Sequence, residues 1–199
     1  MQIIPADAKR ALNAHLWTRH PDDWYVEEHW VDHRLFEHER FEGSVCDPAC
    51  GLGRIVQAAQ LAGFGRTAWG QDKVKRSPYC VRVADFLCDE FRGRRPDNIV
   101  SNPPFKRARE FVVKAREIAP RKVAMLLPLG WISGDTRSRW LEDTRPPRVL
   151  ILTPRPSMPP GPVVEAGLPA RGGKTDFAWY IWERGYNGEP EFGWLRRDP

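Results

Sequence analysis

Short apolar segments alternate with stretches of helical spacing between residues 44 and 182, and this alternation restricts the fold more than any other feature of the chain. Strand-like runs cover residues 44–47, 67–71, 81–84, 98–101, 122–127, 148–152 and 177–182. Helical spacing covers 54–62, where Ile55, Ala58, Ala59 and Ala62 share a face and Gly63 supplies a stop, and then 107–118 and 137–144. Strands interleaved with helices imply right-handed crossovers. The expected class is therefore α/β, a doubly wound and mostly parallel sheet of seven strands. Residues 153–174, rich in Pro and Gly, interrupt the pattern before the last strand, and a connection of that length is expected to be functional or mobile.

Of 199 residues, 41% are hydrophobic and 29% charged, which fits a globular chain able to bury its own core and excludes wholesale disorder. No apolar run approaches the roughly 18 residues of a membrane-spanning helix, and the N-terminus shows no basic-then-apolar signal pattern. The expected location is the cytoplasm, with no membrane partner. The four cysteines, Cys46, Cys50, Cys80 and Cys88, lack C-x-x-C spacing and read as free thiols in a reducing compartment. All five histidines, His15, His20, His29, His33 and His38, fall in the first 43 residues. His29 and His33 could share a helix face, but no third ligand accompanies them and no metal is expected. Charge is uneven. Residues 1–43 carry five Lys and Arg against nine Asp and Glu, whereas 106–155 carry twelve against five.

The segment Val45-Cys46-Asp47-Pro48-Ala49-Cys50-Gly51-Leu52-Gly53 lies where the first strand turns into the first helix, the place at which doubly wound sheets bind ligands. Gly51 and Gly53 permit positive φ and close approach to the backbone. Asp47, at the strand tip, offers a fixed acceptor to a cationic amine. The turn lacks the Gly-Lys-Ser/Thr ending of a phosphate loop and the third glycine of G-x-G-x-x-G. Asp72 and Asp85 end the second and third strands, where a carboxylate can take a ribose hydroxyl or an adenine amino group. Either acid alone is a common strand-end residue, and the glycines alone could serve only a tight turn. Acids at three successive tips point to a nucleotide-like cofactor.

The fourth strand ends in Ser101-Asn102-Pro103-Pro104-Phe105. Two prolines fix φ twice and remove two donors, so the turn is stiff. The Asn102 side chain and the Pro103 carbonyl are acceptors that can converge on one amino group and leave its lone pair aimed at an electrophile. Phe105 offers a flat face for a planar group. The plainer reading is a Pro-rich turn after a strand.

In this order, D-P-A-C-G-L-G (Asp47 to Gly53) and N-P-P-F (Asn102 to Phe105) resemble the S-adenosylmethionine-dependent amino-methyltransferases, above all the adenine-specific DNA methyltransferases of the small phage and prophage type. Asp23-Trp24-Tyr25-Val26-Glu27 is similar to that group's cofactor-closing segment, and residues 155–160 and 176–179 to its late active-site loop and last strand. The resemblance implies a Rossmann-like class I methyltransferase sheet with an antiparallel last strand, and S-adenosyl-L-methionine as cofactor. It implies that Asp47, Pro48, Ala49, Cys50, Gly51 and Gly53 hold the methionine part of the cofactor, Asp72 its ribose and Asp85 its adenine. It implies that Asn102 and Pro103 bind the target amino group, with Pro104 stiffening the turn and Phe105 stacking on a flipped base. One catalytic domain over 44–199 is expected, with a helical leader over 1–43 packed on its cofactor side.

DNA is the expected partner. Lys106, Arg107 and Arg109, with Arg92, Arg94 and Arg95, bracket the fourth strand and fit phosphate contacts, although a solvated basic face would look the same. Arg155 and Ser157 join them as substrate-binding candidates from the late loop. Trp131, Trp140, Trp179 and Trp182 read as core more than as stacking platforms. No separate target-recognition domain is expected, so sequence choice would fall to 153–174, the leader or a partner. A monomer is expected, and no restriction partner is indicated. The alternatives are a methyltransferase of RNA or of a protein glutamine, and a descendant that binds cofactor or DNA without turnover.

Overall fold

Strand-forming runs that are apolar at nearly every position need cover on both faces, and Lys122–Pro128 and Phe177–Glu183 are of this kind. The computed structural model describes residues 21–91, 95–144, 148–169 and 173–197. His15, His20, Arg92, Arg94 and the first part of the 1–43 leader lie outside them. In chain order the elements are α1 (His29–His38), β1 (Val45–Asp47), α2 (Arg54–Ala59), β2 (Ala68–Asp72), β3 (Cys80–Val83), β4 (Asn98–Ser101), α3 (Ala108–Ile118), β5 (Lys122–Pro128), α4 (Asp135–Thr144), β6 (Arg148–Thr153), α5 (Gly161–Glu165), β7 (Phe177–Glu183) and β8 (Phe192–Arg196).

The strands form one sheet in the order β3-β2-β1-β4-β5-β7-β6-β8. β1 pairs in parallel with β2 and β4, and β4 with β5. β7 runs antiparallel to both β5 and β6. All seven expected strands are present, and β8 adds an eighth, parallel to β6 at the sheet edge. The antiparallel strand is thus the seventh, not the last. Strand order reverses between β1 and β4, which opens a crevice at their carboxyl ends.

Alternation along β5 and β7 divides the core. Ala124, Leu126, Trp179 and Ile181 pack on one face with Val31 and Leu35 of α1 and Ile55 and Val56 of α2. Val123, Met125, Leu127, Ala178 and Tyr180 pack on the other with Phe111, Val112 and Ala115 of α3 and Leu141 of α4. Trp131, Trp179 and Trp182 are buried, as read from the sequence, and Trp140 is half-buried. Helix α3 buries Ala108, Phe111, Val112 and Ala115, a stripe at i, i+3, i+4 and i+7, and ends at Ile118, with Ala119 as its extended cap ahead of Pro120.

Two local readings are corrected. Helix α2 stops at Ala59, and the chain widens over Gln60–Phe64 around Gly63, whose φ is 101°. Ala62 is therefore exposed and does not extend the buried face. The 153–174 connection is not structureless. It contains α5, and its residues 159–161 dock on residues 24–26: Val26 N–H donates to the Pro159 carbonyl at 2.9 Å, and Gly161 N–H to the Trp24 carbonyl at 3.0 Å. No helix among the described residues is long and apolar enough to cross a membrane.

Candidate active site

The crevice is floored by the turn after β1. Gly51 has φ +47° and Gly53 φ +81°, so both sit where glycine is favoured. A Cβ on Gly53 would fall 2.6 Å from Cβ of Tyr79, and one on Gly51 would fall 2.9 Å from the Trp24 indole nitrogen. The turn is therefore shaped by close neighbours as well as by its backbone. Asp47 is 2% exposed at the tip of β1. Its Oδ1 accepts from the Ala49 N–H at 3.1 Å and from the Ser101 hydroxyl at 2.7 Å. Because Ser101 directly precedes Asn102, this bond ties the first motif to the second.

Asp72 braces the same turn from β2. Its Oδ2 accepts from Gly51 N–H at 2.9 Å, and its Oδ1 from Val74 N–H at 2.9 Å and from Arg76 at 3.1 Å. Asp85 accepts from Leu87 N–H at 2.9 Å. Burial pushes the Cys50 thiol up, so Cys50 lines the crevice as a neutral group and not as an activated nucleophile.

A strap over residues 21–27 closes the open side. The Asp22 carboxylate pairs with Lys73 at 3.4 Å, and Asp23 accepts from the Lys106 backbone N–H at 3.0 Å. The Arg76 guanidinium lies 4.1 Å from the Trp24 ring centroid. Tyr25 stacks on Phe105, with centroids 5.8 Å apart and planes 11° from parallel, and Phe177 meets Phe105 at 5.7 Å. Asn102 is held by this strap: its Nδ2 donates to the Tyr25 carbonyl at 3.0 Å and to Glu27 Oε2 at 2.7 Å.

A buried acid cluster begins at the end of the strap. Glu27, Asp32 and Asp47 are 6%, 0% and 2% exposed, and Arg54 donates to the Glu27 carbonyl. Burial is the largest cause that raises all three carboxyls, those of Asp32 and Asp47 well above the usual range. Asp32 is raised further by Glu27 and Asp47, whereas hydrogen bonds from Ser101 and Ala49 hold Asp47 back. As a carboxylate, Asp32 finds no donor for either oxygen. Its contact with Glu27 raises Asp32 further and lowers Glu27, so Asp32 is the more readily protonated of the two.

The crevice brings together Asp47, Pro48, Ala49, Cys50, Gly51, Asp72, Asp85, Asn102 and Pro104 of the sequence-predicted set, with Lys106 and Arg107 on its wall. Gly53, Pro103 and Phe105 are not among its lining. Arg107 pairs with Glu110 at 2.6 Å. Three substrate-binding candidates sit elsewhere. The Arg109 guanidinium lies 5.5 Å from the Trp140 ring, Arg155 pairs with Asp176 at 2.6 Å, and Ser157 is buried with its N–H donating to Glu28 at 2.9 Å. Sequence reading assigned no role to Arg54, Lys73 or Arg76, which also line the crevice, or to the individual residues of the strap. Among the described residues no cluster of three or more His, Cys, Asp or Glu could hold a metal ion.

No family model matches the chain, and no curated protein matches it by sequence. Solved structures do match. A Listeria monocytogenes protein named as a class I S-adenosylmethionine-dependent methyltransferase superposes with a TM-score of 0.57 at 11% identity, over 95% of this chain and 69% of that one. The M protein of the type I restriction enzyme EcoKI superposes with a TM-score of 0.56 at 15% identity, over 84% of this chain and 47% of that one, so this chain spans about half its length. A Pyrococcus horikoshii protein named as an RNA methyltransferase superposes with a TM-score of 0.52 at 16% identity, over 91% and 98% of the two chains. With its strand order and its antiparallel β7, the chain is similar in fold to the class I methyltransferases.

Proposed function

We propose that this chain is an adenine-specific DNA methyltransferase, which transfers a methyl group from S-adenosyl-L-methionine to the exocyclic amine of adenine. One observation carries the reading: Asp47 and Asn102, from two motifs far apart in sequence, line one crevice and are joined through the Ser101–Asp47 hydrogen bond of 2.7 Å. The residues fit the cofactor. Among the described residues Asp47 Oδ2 has no hydrogen-bond partner, which leaves an acceptor for the cofactor's ammonium group. Asp72 and Asp85 stand at the next two strand ends for its ribose and adenine, and Phe86 and Phe111 give apolar wall. When bound, the cofactor supplies a sulfonium methyl group that the amine nitrogen takes as the sulfonium becomes a thioether, and the amine's surplus proton passes to water.

The chain's own residues orient the amine. Asn102 Oδ1 and the Pro103 carbonyl take its two hydrogens, and the double proline keeps both acceptors in place. The target amine cannot be reached inside a duplex, so the base must be extruded to this crevice. Lys106 and Arg107, exposed at its wall, would hold phosphates. The type I restriction enzyme M protein and the protein named as an RNA methyltransferase, both similar in fold, keep nucleic acid in view as the acceptor class.

The test is transfer of labelled methyl from S-adenosyl-L-methionine to unmethylated DNA, with RNA and total protein as parallel acceptors and the products digested. N6-methyladenine from DNA is the expected product. Label in RNA or in a protein side chain would move the substrate and keep the chemistry. No label with any acceptor would overturn the reading.

A further inference from the structure

Asn102 is read from its motif as the residue that meets the target amine, but an asparagine amide has two ends of nearly equal shape. Only the oxygen can accept the amine's hydrogens. The nitrogen, presented instead, would set donors against donors. What holds the amide one way round is therefore a functional question, and the strap answers it.

Both hydrogens of Asn102 Nδ2 are taken by acceptors. Glu27 Oε2 lies at 2.7 Å and the Tyr25 carbonyl at 3.0 Å. Turning the amide over would place Oδ1 against a carboxylate and a carbonyl, three oxygens with no proton among them. Glu27 is itself fixed. It is 6% exposed, and its backbone carbonyl takes the Arg54 guanidinium. Asp32, on α1, is the more readily protonated of the two acids, which leaves Glu27 as the acceptor for Asn102.

We propose that Glu27 is a positioning residue for the target amine: its buried carboxylate holds the Asn102 amide so that Oδ1 alone is presented to the crevice, and its charge, one amide group away, counters the positive charge that grows on the amine nitrogen. This rests on the amino-methyltransferase reading above. A neutral acceptor would orient Asn102 as well but would not supply the charge. The Tyr25 carbonyl is such an acceptor, so orientation is shared and the charge is Glu27's own. Arg54, Asp32 and Asp47 are the charged or titratable groups that face it.

Two substitutions separate the roles. Glu27→Gln keeps shape and an acceptor oxygen and removes the charge. Glu27→Leu removes both. In single turnovers with saturating cofactor and DNA, Glu27→Gln is expected to slow transfer about 10-fold and Glu27→Leu about 100-fold or more. Cofactor Kd by calorimetry is expected to stay within about threefold in both, since the Glu27 carboxylate is spent on Asn102. The second readout needs no substrate. In nitrogen–proton spectra the Asn102 side-chain amide, assigned by its loss in Asn102→Ala, is expected to show two well-separated, slowly exchanging protons. It should shift in Glu27→Gln and average towards a free amide in Glu27→Leu. If Glu27→Leu fails to fold, Glu27→Gln decides alone. Wild-type transfer rates in Glu27→Gln, or rates that fall only in step with cofactor affinity, would overturn the proposal. A wild-type enzyme that methylates no DNA would overturn the functional reading instead, and the positioning would then stand or fall on the Asn102 resonances.

Discussion

Tyr25 covers Phe105, the two rings 5.8 Å apart and 11° from parallel, so the face on which a flipped base would stack is already occupied by the strap. Phe177 approaches Phe105 at 5.7 Å from a tilted orientation. A base that reaches this aromatic group must therefore displace Tyr25. Phe105→Ala is expected to raise the KM for DNA about 5- to 150-fold, the equivalent of the ~1–3 kcal/mol that a base–aromatic stack contributes. Tyr25→Ala is expected to do the opposite and lower it, by the ~0.5–1.5 kcal/mol of the aromatic pair that no longer has to open. Steady-state kinetics on a duplex substrate measures both. A rise in KM for Tyr25→Ala would mean that Tyr25 stacks on the base itself.

The two motifs should separate under mutation although one hydrogen bond joins them. Asn102→Ala removes the acceptor proposed for the amine and leaves Asp47 in place, so transfer should disappear while cofactor affinity stays within about threefold. Asp47→Ala removes the free Oδ2 and strands the Ser101 hydroxyl and Ala49 N–H, so cofactor affinity should fall about 10-fold or more. Calorimetry with the cofactor alone, paired with single-turnover transfer, separates the two. Loss of cofactor binding in Asn102→Ala would mean that Asn102 serves the cofactor and not the amine.

Where neighbouring residues decide structure, the sequence was a good guide. β4 begins at Asn98 and ends at Ser101 as its apolar run requires, because Ile99 and Val100 are buried and the double proline stops the strand. The glycine turn after β1 was legible for the same reason. β8 was not, because Phe192 and Trp194 are exposed on an edge strand and only Leu195 turns into the core, which inverts the pattern that marks a buried strand. The strap was visible as a likeness to a closing segment, but not its partners, since Tyr25 meets Pro160 through an isolated bridge fixed by tertiary docking. Asp32 was invisible for a sharper reason. In H-W-V-D-H-R-L-F it reads as a solvated helix residue, yet it lies on the buried face of α1 with Val31 and Leu35. No local rule places a carboxyl there.

Far from the crevice, Glu39 should matter for stability and not for chemistry. It is 6% exposed and accepts from Lys122 at 2.6 Å and from Arg148 at 2.5 Å, at the ends of β5 and β6 remote from Asn102. Burial alone would raise its carboxyl, but Arg148 and Lys122 hold it below the usual range. Glu39→Gln leaves two largely buried cations short of a partner and is expected to cost about 3 kcal/mol, at the lower end for a broken buried pair because Glu183 still reaches Arg148. Urea unfolding at neutral pH measures this. Because the folded pKa is depressed, the contribution is present above the unfolded carboxyl pKa and is lost as pH falls through the folded one. The variant should therefore approach wild type in acid, and transfer by the folded variant should match wild type.

Asp32 predicts the reverse pH dependence. Burial, then the charges of Glu27 and Asp47, raise its pKa well above the usual range, with Arg54 opposing. The unfolded chain releases this proton near a pH of about 3.9, and the folded chain only at a higher pH. Between the two values the folded state binds a proton that the unfolded state does not, so stability falls as pH rises. The contribution is complete below the unfolded pKa and is lost as pH climbs through the folded one. Asp32→Asn keeps the size, offers an N–H to Glu27 and does not titrate. It should melt above wild type at a pH of about 8, by on the order of 2–4 °C for each kcal/mol gained, and the gap should close towards a pH of about 4. Thermal melts across that range at fixed ionic strength test it. A gap that does not change with pH, or one that widens in acid, would remove Asp32 as the holder of the buried proton and return that proton to Glu27. Glu27 would then meet Asn102 as a neutral acid, able to orient the amide but with no charge to set against the amine.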